Sequence, residues 1–286
     1  MHNRNVFKNK KYGKEGTKKM SKKVSVIMSI YNTPSKRMLE KSLKSILKQT
    51  YENFELIICN DGSKNECFIW AKDICKNDNR VKFIENEENK GLAYSLNHCL
   101  KFTTGEYIAR MDDDDISHLD RFERQVNFLN EHHEIGLVGS NMNLFDDERG
   151  VWGIRKYPEY VQKESFLYRV AVAHPTIMAR KEAYEIVDGY RDIKQTVRVE
   201  DYDCFMRMFA KGIKMYNFQE PLFDYREDSR GAKKKKYKYR FNEVWVRYNG
   251  FNALKIKGIK KYIYIIKPLI AGLIPQKIIK NRQRNK

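Results

Sequence analysis

From Val24 onward, apolar runs rich in β-formers alternate with helical stripes at short, regular intervals. Val24 to Ile30 reads as a strand, and Ser35 to Gln49 carries Met38, Leu39, Leu43, Ile46 and Leu47 on one helical face after a Thr-Pro entry. Phe54 to Cys59, Val81 to Ile84 and Tyr107 to Met111 repeat the strand pattern, with helices expected over Ile69 to Cys75 and Leu92 to Phe102. Strands and helices in this order form right-handed βαβ units on a mainly parallel sheet, an α/β fold. The second half is more mixed. Short strands are expected near Leu137–Val138, Trp152–Arg155, Thr176–Met178, Lys214–Tyr216 and Leu222–Tyr225, with a helix over Asp201 to Ala210.

Charge divides the chain into three parts. Residues 1–23 hold nine Lys/Arg against Glu15, and residues 230–286 hold eighteen against Glu243. The whole chain carries +19, so residues 24–229 form a mildly acidic body at −6. A nucleic-acid enzyme would more often carry its basic stripe on that body, so nucleic acid is not an expected partner. Basic ends on an acidic body fit an anionic membrane surface. Residues 1–23 read as a disordered basic extension, with Met20 as an alternative start, and 230–286 as a basic helical tail.

In that tail a long basic helix is expected over Lys233 to Leu254. Beyond it, Ile256, Ile259, Ile263, Ile266, Ile270 and Leu273 recur at helical spacing, flanked by Lys255, Lys257, Lys260, Lys261 and Lys267. Pro268 is expected to kink or split this second helix. The best candidate span, Tyr262 to Ile279, is interrupted by Lys267, Pro268, Gly272, Pro275 and Lys277, so the stripe suits an interface rather than a crossing. No apolar segment follows the basic N-terminus as a secretory signal would require. Five cysteines form no CxxC pair, which fits a reduced, cytosolic compartment.

The sharpest chemical feature is Asp112-Asp113-Asp114-Asp115, directly after the apolar strand Tyr107 to Met111. Adjacent carboxylates repel one another unless a cation compensates. On an extended segment Asp112 and Asp114 face the same side, where Mg²⁺ or Mn²⁺ can join carboxylates to phosphate oxygens. The EF-hand offsets are missing. Asn32 and Asp61 also fall at strand ends, where α/β sheets bind ligands, and this points to a nucleotide-like ligand. Taken singly, Asp61-Gly62 is an ordinary turn, Glu200-Asp201 an ordinary helix start, and His174-Pro175 an ordinary buried pair.

Their order is more specific. Tyr31-Asn32, Gln49-Thr50, Asn60-Asp61-Gly62-Ser63, Asn89-Lys90-Gly91 with Asn97, Ala109-Arg110-Met111 before the acidic run, His174-Pro175-Thr176, Gly189-Tyr190 and Glu200-Asp201 with Arg207 follow one another along 24–226. This set resembles the family 2 glycosyltransferases of GT-A fold, in particular bacterial enzymes of capsule, exopolysaccharide and lipopolysaccharide synthesis, including the amylovoran type. The resemblance implies inverting transfer from a UDP-sugar to a saccharide or lipid-linked saccharide acceptor, with Mn²⁺ or Mg²⁺, by a peripheral enzyme at the cytoplasmic face of the inner membrane. It implies that Tyr31, Asn32 and Asp61 line the base and ribose pocket, Asp61 accepting from the uracil N3–H. Asp112 and Asp114 match the DXD metal-nucleotide motif, with Asp115 supporting. Asp201 matches the catalytic base and Glu200 orients it or the acceptor. Lys90 is a candidate for the diphosphate, and His174 for the acceptor side.

Two features depart from the family pattern. Asn60 stands where an acid is more usual, and the Gln-x-x-Arg-Trp motif of processive synthases is absent, which favours single additions. Two other readings compete. A metal-dependent nucleotidyltransferase would need a Gly-rich basic phosphate loop, and Ser29 to Ser35 has none. A non-enzymatic nucleic-acid or membrane module leaves the acidic run, Asp61 and Asp201 without a purpose.

Overall fold

The first strand, β1 (Val24–Ile30), lies inside the sheet, and its alternation sends Val26, Met28 and Ile30 into one core and Ile27 into the other. The computed structural model describes residues 21–227 and 237–273. Ser35 caps α1 (Lys36–Leu47), its hydroxyl accepting from the Met38 N–H, and Leu39, Leu43 and Ile46 pack down on the sheet. Then follow β2 (Phe54–Asn60), α2 (Cys67–Cys75), β3 (Val81–Glu85), α3 (Leu92–Leu100) and β4 (Tyr107–Met111). The four strands run parallel in the order β3-β2-β1-β4. β2 and β4 are buried along their whole length, as strands covered on both faces must be.

After β4 the chain makes β5 (Ile116–Ser117), α4 (Arg121–Glu131), β6 (Ile135–Asp146), β7 (Gly150–Arg155), α5 (Ser165–Tyr168), a 3₁₀ turn (His174–Thr176), β8 (Met178–Arg180), α6 (Lys181–Glu185), α7 (Glu200–Ala210) and β9 (Lys214–Arg226). These strands extend the sheet as β4-β8-β6-β9-β5, with β7 also on β6. β8 joins antiparallel to both β4 and β6, while β6 and β9 are parallel. The result is the expected α/β sheet, parallel in its first half and mixed in its second.

Several local expectations change. Lys214 to Arg226 is one strand rather than two, and its register slips near Pro221, which has no N–H for the ladder. The strand expected from Thr176 begins at Met178, because Pro175 holds a 3₁₀ turn first. α4 was not anticipated, although Phe122, Val126 and Leu129 carry its buried face. Residues 21–23 already touch the body: the Lys22 carbonyl accepts from Tyr51 Oη, and Lys23 Nζ pairs with Glu55 at 3.1 Å. The rest of the expected N-terminal extension lies outside the described residues, as do 228–236 and 274–286.

The basic tail is not a separate unit. α8 (Lys238–Ala253), α9 (Ile259–Leu273) and the link between them send Val246, Phe251, Leu254, Ile256 and Ile265 into the same core as Ile27, Ile57, Tyr202 and Phe205. α8 lies so close to α7 that a Cβ at Gly250 would stand 2.4 Å from Met206 Cε. α9 runs through Pro268 as one helix, so the expected split is absent. Its inward residues are Ile265, Pro268 and Gly272, not the isoleucine stripe. Ile259, Ile263, Ile266, Ile270 and Leu273 are each at least half exposed, and only Ile256 of the stripe is buried. Phe251→Ala is therefore expected to cost about 3–5 kcal/mol in chemical denaturation, whereas Ala at the exposed Phe241 of the same helix leaves stability within about 0.5 kcal/mol. An undiminished midpoint in Phe251→Ala would show that the tail is dispensable to the core.

Candidate active site

The loops after β1 and β2 are tied together. Asn32 sits in the left-handed region (φ 47°), which its short polar side chain tolerates. Its N–H donates to Ser63 Oγ (3.0 Å) and its Oδ1 accepts from the Lys64 N–H (2.8 Å). Tyr31 stands half-exposed beside it. Asn60 Oδ1 accepts from the Ser63 N–H, so the residue that replaces the usual acid caps the turn. The buried Asp61 carboxylate accepts from Asn86 Nδ2 (2.8 Å), Asn89 Nδ2 (2.7 Å), the Lys90 N–H (2.8 Å) and the Gly91 N–H (2.9 Å). Four donors thus clamp the 86–91 loop to the Asp61 carboxylate. Lys90 enters the clamp through its backbone, while its ammonium pairs with Glu88.

At the end of β4 the acidic run splits. Both Nη atoms of the buried Arg110 grip the Asp112 carboxylate, and the Asp112 carbonyl accepts from Ser42 Oγ (2.7 Å). Asp113 turns back to the Thr33 hydroxyl. Asp112, Asp114 and Asp115 converge, one oxygen of each lying within 4.8 Å of the others. Asp115 thus joins the cluster directly instead of supporting it from behind. Its Oδ1 accepts from the Arg226 N–H (2.7 Å), and its Oδ2 is buried without a partner. Arg226 also donates through Nε to the Asp114 carbonyl (2.9 Å).

Burial first, and then the neighbouring acids, push these carboxyls up: Asp113 to about 7, Asp114 to about 6 and Asp115 well above the usual carboxylate range. Three converging carboxylates, one of which keeps an orphaned oxygen, in a site that resists holding negative charge suit a hard divalent cation.

The second acidic pair opens α7. Asp201 Oδ1 accepts from the Tyr202 N–H (2.8 Å). Burial, reinforced by the Asp201 charge, pushes Glu200 up to about 7. Asp203 is held apart by Arg191 (2.9 Å) and Arg207 (2.7 Å) and serves the framework. A cavity of about 390 Å³ joins the two acidic sites, with Arg110, Asp112, His174, Glu200 and Asp201 in its wall. His174 borders it, but Nε2 is engaged by Tyr190 Oη (2.7 Å), and burial holds its pKa well below the ordinary imidazole value.

Arg110, Arg226 and Arg121 were given no role from sequence. The buried Arg121 donates to the carbonyls of Arg110 (3.0 Å) and Ile177 (2.9 Å), bracing the acidic strand against the turn that follows His174. Arg110 did leave a signal, as a charged residue inside an otherwise apolar strand.

Residues 25–188 match the family described as Glycosyl transferase family 2. The chain belongs to this family. It is 42% identical over 265 residues to the Putative glycosyltransferase EpsE of Bacillus subtilis (strain 168), covering 92% of this chain and 94% of that one. It is 29% identical to the UDP-Gal:alpha-D-GlcNAc-diphosphoundecaprenol beta-1,3-galactosyltransferase of Escherichia coli, over 88% of this chain and 92% of that one. The fold matches S. aureus TarS 1-349, solved with UDP-GlcNAc, at a TM-score of 0.67 and 19% identity, over 86% of this chain and 71% of TarS. The family 2 chain described here therefore has the GT-A fold.

The raised carboxyls set a pH dependence. Between an unfolded carboxyl value of about 4 and their folded values of about 6 to 7, the folded chain binds more protons than the unfolded chain. Their contribution to stability therefore falls as pH rises through that window. A divalent cation competes with the same protons. In thermal denaturation Mn²⁺ is expected to raise Tm only slightly at pH 5 and by several degrees at pH 8. Equal shifts at both values would count against the acidic cluster as the binding site.

Proposed function

We propose that the chain is an inverting, metal-dependent glycosyltransferase that moves a hexosyl or N-acetylhexosaminyl group from a UDP-sugar to a lipid-linked saccharide in surface polysaccharide assembly. The observation that carries this reading is the single cavity shared by Asp112 and Asp201. One wall suits a nucleoside diphosphate and the other offers a carboxylate to an acceptor hydroxyl. Tyr31 and Asn32 face the nucleoside, on a loop frame that Asp61 and the Lys90 backbone hold. Asp112, Asp114 and Asp115 would hold Mn²⁺ or Mg²⁺. When bound, the cation offsets the charge that develops on the leaving diphosphate.

Asp201 takes the proton of the acceptor hydroxyl as its oxygen bonds to the anomeric carbon. The bond from that carbon to the UDP oxygen breaks, and its electrons leave with UDP. Attack from the side opposite the diphosphate inverts the anomeric centre. The acceptor hydroxyl is a poor nucleophile until the proton transfers, which is why a carboxylate is required there. Glu200, beside Asp201, orients the acceptor, and His174 shapes the wall behind it.

The enzyme works peripherally, at the cytoplasmic face of the inner membrane. Among the described residues no helix is long and apolar enough to cross a membrane. α9 instead presents Ile259, Ile263, Ile266, Ile270 and Leu273 outward, with Lys255, Lys257, Lys260 and Lys267 exposed beside them. Apolar residues in the interface and about 1 kcal/mol per Lys near an anionic leaflet support this placement. The diphosphoundecaprenol acceptor in the name of the E. coli relative supports the lipid-linked acceptor.

Asp201→Asn is expected to keep UDP binding and to lower transfer at least about 100-fold. Wild-type turnover in that variant removes Asp201 from the base role. Asp114→Ala is expected to abolish the Mn²⁺-dependent part of UDP affinity, measured by titration with Mn²⁺ and with EDTA. Ile263→Glu with Ile266→Glu is expected to release the protein from anionic vesicles in sedimentation without changing UDP binding; undiminished sedimentation refutes the role of α9.

A further inference from the structure

Beyond Asp201 the cavity continues into a second one of about 400 Å³, and Arg155, Tyr157, Arg198 and Asp201 line both. Arg169, Tyr168 and Arg247 enter only the second. Four arginines therefore surround a space whose acidic lining is Asp201 and Glu243. Arg155 pairs with Glu227, and Arg247 pairs with Glu243 at 3.1 Å. Arg169 is exposed, lies over the Tyr157 ring (4.9 Å) and donates to the Lys156 carbonyl, with no acidic partner among the described residues. Arg198 is exposed at the rim in the left-handed region (φ 70°), a costly conformation for a long side chain and one that concentrates at functional sites. The lining of this second space sets four guanidiniums against two carboxylates, and none of Asp112, Asp114 and Asp115 belongs to it.

We propose that Arg169 and Arg198, with Arg155 behind them, form an acceptor subsite for the diphosphate that joins the acceptor saccharide to its lipid. This rests on the acceptor reading given above. Guanidinium forks match phosphate oxygens in pairs, and Arg holds its charge at any working pH. Tyr157 and Tyr168 supply flat walls for the sugar between hydroxyl and diphosphate. The direction is also right. Tyr168 packs on Tyr264 of α9 (ring centroids 5.2 Å apart), so the groove adjoins the helix that carries the exposed isoleucine stripe. A lipid lying under that stripe would bring its diphosphate to the arginines and its sugar to Asp201.

The test uses the full chain and geranyl diphosphate as probe, by calorimetry, with UDP and Mg²⁺ saturating so that the donor site is filled. Arg169→Gln with Arg198→Gln is expected to weaken the probe about tenfold or more and to leave UDP affinity unchanged. Arg169→Lys alone is expected to recover part of the loss. No binding to the wild-type chain, or equal binding in the double variant, overturns the proposal. Inorganic pyrophosphate binding as tightly as geranyl diphosphate overturns the lipid-linked source. UDP binding is measured first and by itself; its absence sinks the donor reading, while the arginine variants still report on the groove.

Discussion

Four carboxylates at the end of one buried strand repel each other, and the surrounding structure is arranged to hold them. Arg110 reaches along its own strand to Asp112, Thr33 draws Asp113 aside, and Arg226 binds the Asp114 carbonyl and the Asp115 carboxylate. Arg226 is the last residue of β9, which pairs with the two-residue β5 that continues the acidic run. The mixed half of the sheet thus closes on the parallel half at the point of greatest charge. Even so, Asp115 Oδ2, Arg110 Nε and Arg226 Nη2 stay buried without partners. Polar atoms left in that state mark a place where a ligand completes the electrostatics.

β1, β2 and β4 of the parallel half were legible because they are buried on both faces and so read as nearly continuous apolar runs. The mixed half was harder. β6 runs for twelve residues through Gly139, Ser140, Asn141 and Asn143, small or polar residues that give no hydrophobic signal. Their side-chain partners come from distant segments: Asn141 Nδ2 donates to the Gln219 carbonyl, and Asn143 Nδ2 donates to Asp224. No periodicity within β6 announces such bonds.

The site shows the same limit. The motif order located the acidic run and the Glu200-Asp201 pair because chemistry constrains residue type there. It could not separate residues that touch a ligand from residues that position the loops. Gln49, which holds the β5 region, and Asn97, which brackets the Tyr190 backbone with two hydrogen bonds, belong to the second kind. These side chains satisfy buried backbone groups, a requirement as strict as catalysis itself. The arginines were missed for the opposite reason. Their significance depends on which of them share one cavity wall, and only three-dimensional proximity decides that.

The core that joins Ile27 and Ile57 to Phe251 and Ile265 has a temporal consequence. Contacts between β1 and α8 or α9 form only after more than two hundred further residues have left the ribosome. Such long-range closure is slow and leaves apolar surface waiting. The GT-A sheet can assemble early, but the face of α7 that follows Asp201 stays uncovered until α8 arrives. Synthesis therefore delivers the acidic sheet before the cationic, isoleucine-bearing helix, so that completion of the core and exposure of the isoleucine face occur together.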